Sequence, residues 1–145
     1  MKVCTFFGHR DCPESIRGRL REEIEWLISH QQADTFYVGT HGSFDRMAYA
    51  VLKELRIKYP RIKVYRVLAY MPKNGAVSND DGSGKDTILP EGIERVHPRY
   101  AIVWRNNWMI DHSEYVVAYV TRAFGGAYQS LERAKKKGKT TMQIG

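Results

Sequence analysis

Three short stretches combine glycine with polar side chains in places where chemistry is possible. In Phe124-Gly125-Gly126-Ala127-Tyr128-Gln129, two glycines stand between a β-type run at 115–120 and a helix-type run at 127–137. Glycine lets the backbone pass close to a guest. The helix start behind it offers free N–H groups and the positive end of a dipole, which suits an anion, most often a phosphate. A bare Gly-Gly also serves as a plain tight connection. Gln129, in the first turn, can reach a ligand there. Glu132, three residues on, shares its face and fits equally as a surface carboxylate paired with Lys135 or Lys136.

The second stretch is Gly8-His9-Arg10-Asp11. Here Arg10 can clamp a phosphate or carboxylate with two parallel bonds, and His9 can donate a hydrogen bond. The alternative is an Arg10 paired with Asp11 or Glu14. The third is Gly39-Thr40-His41-Gly42-Ser43-Phe44-Asp45, where glycines and hydroxyls precede a helix. Gly39, Thr40, Gly42 and Ser43 read as an anion or ribose cradle, Asp45 as an acceptor for a ribose or a base, and Ser43 also as a helix N-cap. A fourth candidate lies on a helix at 99–112. Arg105 and Met109 are four apart and share a face, with Trp104 and Trp108 nearby. Arginine beside an aromatic suits a stacked base next to a phosphate. The tryptophans read as core, and Arg105 as facing a ligand.

The elements that must position these stretches follow from periodicity. Strand-type runs occupy 3–7, 35–38, 62–69, 115–120 and 140–144. Helical patterns occupy 13–30, 44–58, 99–112 and 127–137, the first opened by Pro13 and carrying Ile16, Leu20, Ile24, Leu27 and Ile28 on one face. The segment 72–98 reads as one long irregular loop. Strands alternating with helices predict an α/β fold with a mainly parallel five-stranded sheet covered on both faces. Ligands of such sheets sit beyond the carboxyl ends of the strands, where strand order reverses, and all three glycine-bearing stretches fall at such ends.

The 145 residues suit one domain, 1–145, and 43% hydrophobic content supports a real core. No apolar run is long enough to cross a bilayer, and the N-terminal residues lack a signal h-region, so no membrane association and a cytoplasmic address are expected. Cys4 reads as a buried strand residue and Cys12 as a loop thiol; their spacing fits neither a disulfide framework nor zinc. His9, His30, His41, His97 and His112 form no ligand spacing, so no metal and no cofactor are expected. The net charge of +7 favours anionic partners, although part of it closes a helix at 133–139.

Taken together, Thr5-Phe6-Phe7-Gly8-His9-Arg10, Tyr37-Val38-Gly39-Thr40-His41-Gly42-Ser43-Phe44-Asp45, Leu68-Ala69-Tyr70-Met71-Pro72 and Phe124-Gly125-Gly126-Ala127 resemble the SLOG superfamily, nearest its small YpsA-like branch. The resemblance spans nearly the whole chain. It implies a Rossmann-like three-layer sandwich that binds or senses a nucleotide or a nucleotide-derived ligand of AMP, NAD or ADP-ribose type. A related enzymatic branch, the Lonely-guy phosphoribohydrolases, cleaves nucleoside monophosphates and carries the fingerprint P-G-G-x-G-T-x-x-E. Gly125, Gly126 and Glu132 match it, while Phe124, Tyr128 and Gln129 replace its proline, third glycine and threonine. Arg105 and Met109 match that branch's upstream arginine and methionine. The resemblance thus implies catalytic roles for Arg105 and Glu132 only if the chain is an enzyme, and the substitutions favour binding over cleavage. DNA-processing relatives add single-strand nucleic acid as a further possible partner, and relatives that dimerise add a homodimer by analogy.

Overall fold

The computed structural model describes residues 1–71 and 86–145. The strands are β1 (Val3–Gly8), β2 (Thr35–Val38), β3 (Lys63–Val67), β4 (Thr87–Ile88), β5 (Tyr115–Tyr119) and β6 (Thr140–Gln143). The helices are α1 (Arg17–His30), α2 (Ser43–Lys58), α3 (Ala101–Asp111) and α4 (Gly126–Lys136). The strands form one six-stranded sheet in the order β4-β3-β2-β1-β5-β6, and every neighbouring pair is parallel.

The sixth strand corrects the expected count of five. Thr87 and Ile88 lie in the segment read as irregular and pair with Arg66 and Val67. Two residues are too short to display a period of two, so sequence pattern alone passes over them. The same segment carries a 3-10 turn at Ile93–Arg95, and a second, Pro98–Tyr100, starts at its last residue. Its earlier part, 72–85, lies outside the described residues. The helix expected from residue 13 begins instead with a separate 3-10 turn, Glu14–Ile16, preceded by an extended Pro13 (φ −75°, ψ 147°).

The sheet is buried on both faces, so its central strands are apolar at nearly every position. Cys4 and Phe6 point into a core shared with α1 and α2, through Leu20, Ile24, Leu27, Phe44, Val51 and Leu52. Val3 and Phe7 point the other way, to Met109 and Ile110 of α3 and Ala134 of α4. The result is a three-layer, Rossmann-like α/β sandwich. Moving from β1 to β2 the chain steps one way across the sheet, whereas from β4 it crosses to β5 on the far side of β1. The order therefore reverses between β1 and β5, which places the ligand crevice at Gly8 and Tyr119. No helix among the described residues is long and apolar enough to cross a membrane.

Candidate functional site

A cavity of about 250 Å³ opens at that crevice. Its lining comes from five places in the chain: Phe6, Phe7, Gly8 and Arg10 at the end of β1, His41 and Asp45 at the start of α2, Ile102, Arg105, Asn106 and Met109 on α3, Arg122 after β5, and Gly126 and Ala127 opening α4.

Arg105 is its most unusual member. On α3 the positions 101, 105 and 109 form the buried stripe, as expected from residues four apart, and Arg105 occupies the middle of it at 2% exposure. The flanking Trp104 and Trp108, expected to be core, are only partly buried. Trp108 stacks on His112 at 4.1 Å and lies against Tyr37. The Arg105 guanidinium donates from Nε to Asn106 Oδ1 (2.9 Å) and from Nη1 to Val67 O (2.9 Å) and Thr40 Oγ1 (3.2 Å). Its Nη2 lies 3.4 Å from His41 Nδ1. All these partners are neutral. Asp45 is near enough to act on it through space, yet among the described residues Arg105 makes no direct ion pair. Burial lowers its pKa, against the opposing pull of Asp45. A buried cation with only neutral partners is costly unless something supplies an anion.

Asp45 Oδ2 accepts from the His41 N–H at 3.0 Å, tying the third position of α2 back to the turn before it. Burial raises its carboxyl to about 6, although that hydrogen bond and the charges of Arg105, Arg46 and Arg10 pull the other way. Gly39 makes room for this carboxylate, since a Cβ there would stand 2.6 Å from Asp45 Oδ2 and 3.4 Å from Arg105 Cζ. Burial, and then the nearby Arg105 and Arg10, lower the pKa of His41.

Helices α2 and α4 are capped alike. Gly42 before α2 has φ 95°, ψ 172°, and Gly125 before α4 has φ 95°, ψ 175°. That region is essentially reserved for glycine. Neither helix has a side-chain cap. Ser43, expected as an N-cap, occupies the first helical position and does something else. Its hydroxyl donates to Arg10 O (2.6 Å) and accepts from the Cys12 N–H (2.8 Å), so it bolts the β1 loop to the start of α2. The Ser43 N–H donates to the same carbonyl at 2.8 Å. Gly42 is pressed against Arg10, where a Cβ would come within 2.8 Å of Arg10 Cα.

The expected site residues thus divide into three groups. Gly8, Arg10, Asp45, Arg105 and Gly126 line the cavity, and Gly39, Thr40, Gly42, Ser43 and Gly125 support or shape its wall. His9, Gln129 and Glu132 lie elsewhere. His9 is buried, and its Nε2 accepts the Thr121 N–H at 2.9 Å, so it ties the end of β1 to the end of β5. Burial and the Arg122 charge lower its pKa, consistent with an acceptor ring nitrogen. Gln129 and Glu132 lie on the outer side of α4 beside Tyr128, Arg133 and Lys136, and Glu132 pairs with Lys135 at 3.7 Å. Glu132 borders a neighbouring hollow with Arg122, but it does not line the cavity that holds Arg105. Sequence reasoning passed over Arg122 and Asn106. Arg122 sits in the connection from β5 to Gly125, with its guanidinium 5.2 Å from the Phe124 ring centroid. Its position between a strand end and a glycine pair was the available signal.

No protein-family signature and no curated protein matches this chain. Among solved structures, DNA processing protein A (DprA) from Streptococcus pneumoniae is similar, with a TM-score of 0.69 at 14% identity. The match covers 98% of this chain and 50% of that one, so this chain spans about half the length of that protein. The likeness establishes a shared Rossmann-like fold.

Proposed function

We propose that this chain binds or senses a nucleotide or nucleotide-derived ligand, of AMP, NAD or ADP-ribose type, as a YpsA-like member of the SLOG superfamily. The observation that carries this reading is Arg105, a buried guanidinium lining a cavity at the strand-order reversal with only neutral partners among the described residues. An anionic group in the cavity would supply a direct partner, where Asp45 acts only through space. Arg10 and Arg122 line the same space and add to the attraction. Gly126 supports the reading in another way. It opens a helix with an ordinary φ, and a Cβ there would meet nothing within 4 Å. Glycine at a helix position costs about 1 kcal/mol relative to alanine. A guest that approaches the backbone gives a reason for it.

The test is native mass spectrometry over time with AMP, other monophosphates, NAD and ADP-ribose. A saturable adduct of unchanged ligand mass supports a binding or sensing role and identifies the ligand class. Absence of any adduct below millimolar concentration would overturn it. Conversion to free base and ribose phosphate would make the chain a phosphoribohydrolase-type enzyme, a reading that gains nothing from the outward placement of Glu132. The net charge of +7 and the likeness to a DNA processing protein favour a second reading, single-strand nucleic-acid binding. Its signature is an oligonucleotide affinity that falls steeply with salt.

A further inference from the structure

The cavity is not a simple anion hole, because it presents a carboxylate beside its guanidinium groups. Asp45 lines it together with Arg10, Arg105 and Arg122. Only one carboxylate oxygen is engaged: Oδ2 accepts the His41 N–H at 3.0 Å, and Oδ1 has no hydrogen-bond partner among the described residues. The fold also commits Gly39 to this carboxylate, since any side chain there would collide with Oδ2. A bare phosphate or pyrophosphate gains nothing from such a group and is repelled by it when it is ionised. A ligand that carries both an anion and a hydrogen-bond donor uses both halves of the floor.

We propose that Asp45 is a specificity-determining residue that accepts a hydrogen bond from a hydroxyl of the ligand, so that the cavity selects a ribose-bearing phosphate ester over bare phosphate anions. This rests on the nucleotide-binding reading above. The vicinal hydroxyls of a ribose are the donors that fit, with the phosphate directed to the arginines and to the opening residues of α4.

The experiment measures affinity of the purified chain for three probes: AMP, 2′,3′-dideoxy-AMP and inorganic pyrophosphate. The wild type binds AMP about ten- to a hundredfold more tightly than the dideoxy analogue, the value of one hydrogen bond to a charged group. In Asp45→Ala that preference collapses to about unity, and pyrophosphate binds at least as well as to the wild type, because the like charge is gone. Asp45→Asn preserves shape and an acceptor for the His41 N–H. It guards against loss of fold, and it is expected to keep only part of the preference. Thermal unfolding of both variants confirms that folded protein is compared. Equal affinity of the wild type for AMP and the dideoxy analogue would overturn the role of Asp45 while leaving nucleotide binding intact. A preference that survives in Asp45→Ala would do the same. No binding of AMP by the wild type would bring down the nucleotide-binding reading itself, and this proposal with it.

Discussion

Arg105→Met tests whether the buried guanidinium is a structural strut or a ligand group. The side chain makes hydrogen bonds to Asn106 Oδ1, Val67 O and Thr40 Oγ1. At about 1 kcal/mol net for each, their loss costs about 3 kcal/mol. Against this, holding a desolvated cation without a paired carboxylate costs several kcal/mol, and methionine retains most of the stem's packing. The two contributions nearly cancel, so the variant is expected within about 2 kcal/mol of the wild type by urea denaturation. Binding should respond very differently. Removing the buried partner of an anion typically costs about 2–5 kcal/mol, or at least about thirtyfold in Kd for AMP by titration calorimetry. Arg105→Ala, which also opens a void, is a poorer probe because it adds a cavity penalty. The reasoning fails if Arg105→Met loses more than about 4 kcal/mol of stability while its folded fraction binds AMP as the wild type does. That outcome would make Arg105 a cross-brace among β3, α3 and the turn after β2, with no ligand role.

Asp45 predicts a pH dependence of stability. Its folded-state pKa of about 6 stands above the unfolded value of about 3.9, so the native state binds more protons in between. Stability from this group therefore falls as pH rises from about 4 through about 6, by roughly 2–3 kcal/mol, and Asp45→Asn should remove that slope in urea titrations taken at each pH. The lowered pKa values of His9 and His41 act oppositely, favouring the fold as pH rises toward 6.5, so the Asp45 contribution is read as wild type minus variant. Gly42→Ala and Gly125→Ala both force alanine to a glycine-only φ near 95°, costing about 1–3 kcal/mol. Only Gly42 also meets backbone, at 2.8 Å, so Gly42→Ala should be clearly the more destabilising in a denaturant midpoint comparison. Glu132→Ala removes an exposed ion pair and should leave both AMP affinity and stability unchanged within about 0.5 kcal/mol; a large loss of affinity would return Glu132 to the site.

The alternation of strands and helices, and with it the parallel sheet, was legible because long periodic runs such as Phe44, Met47, Ala48, Val51, Leu52 and Leu55 show one helical face directly. The three glycine-bearing turns were legible as strand ends for the same reason. Three things were not. Thr87–Ile88 is too short to have a pattern. The side on which Gln129 and Glu132 emerge depends on how α4 rotates against the sheet, which Ser130, Leu131 and Ala134 fix by being buried. The fate of the Ser43 hydroxyl depends on a carbonyl 33 residues away, so a local capping rule misassigned it. Arg105 lies between these cases. Its place on a face with Met109 was visible, but its burial was not, because a charged residue in an apolar stripe is ordinarily read as exposed.

The central position of β1 has a consequence for the order in which this molecule comes together. β1 runs beside β2, formed early in the chain, and beside β5, whose residues are synthesised more than a hundred positions later; the Val3 N–H bonds to Glu114 across a separation of 111 residues. Until β5 arrives, β1 has one open edge and the crevice lacks the side formed by Arg122, Gly126 and Ala127. The sheet's most costly loop closure and the completion of the cavity are therefore the same event. A chain halted before residue 115 has Gly8, Arg10 and Arg105 but lacks Arg122 and the Gly126 end of α4 that complete the lining, and binding competence should emerge in refolding with the slowest structural phase, never ahead of it.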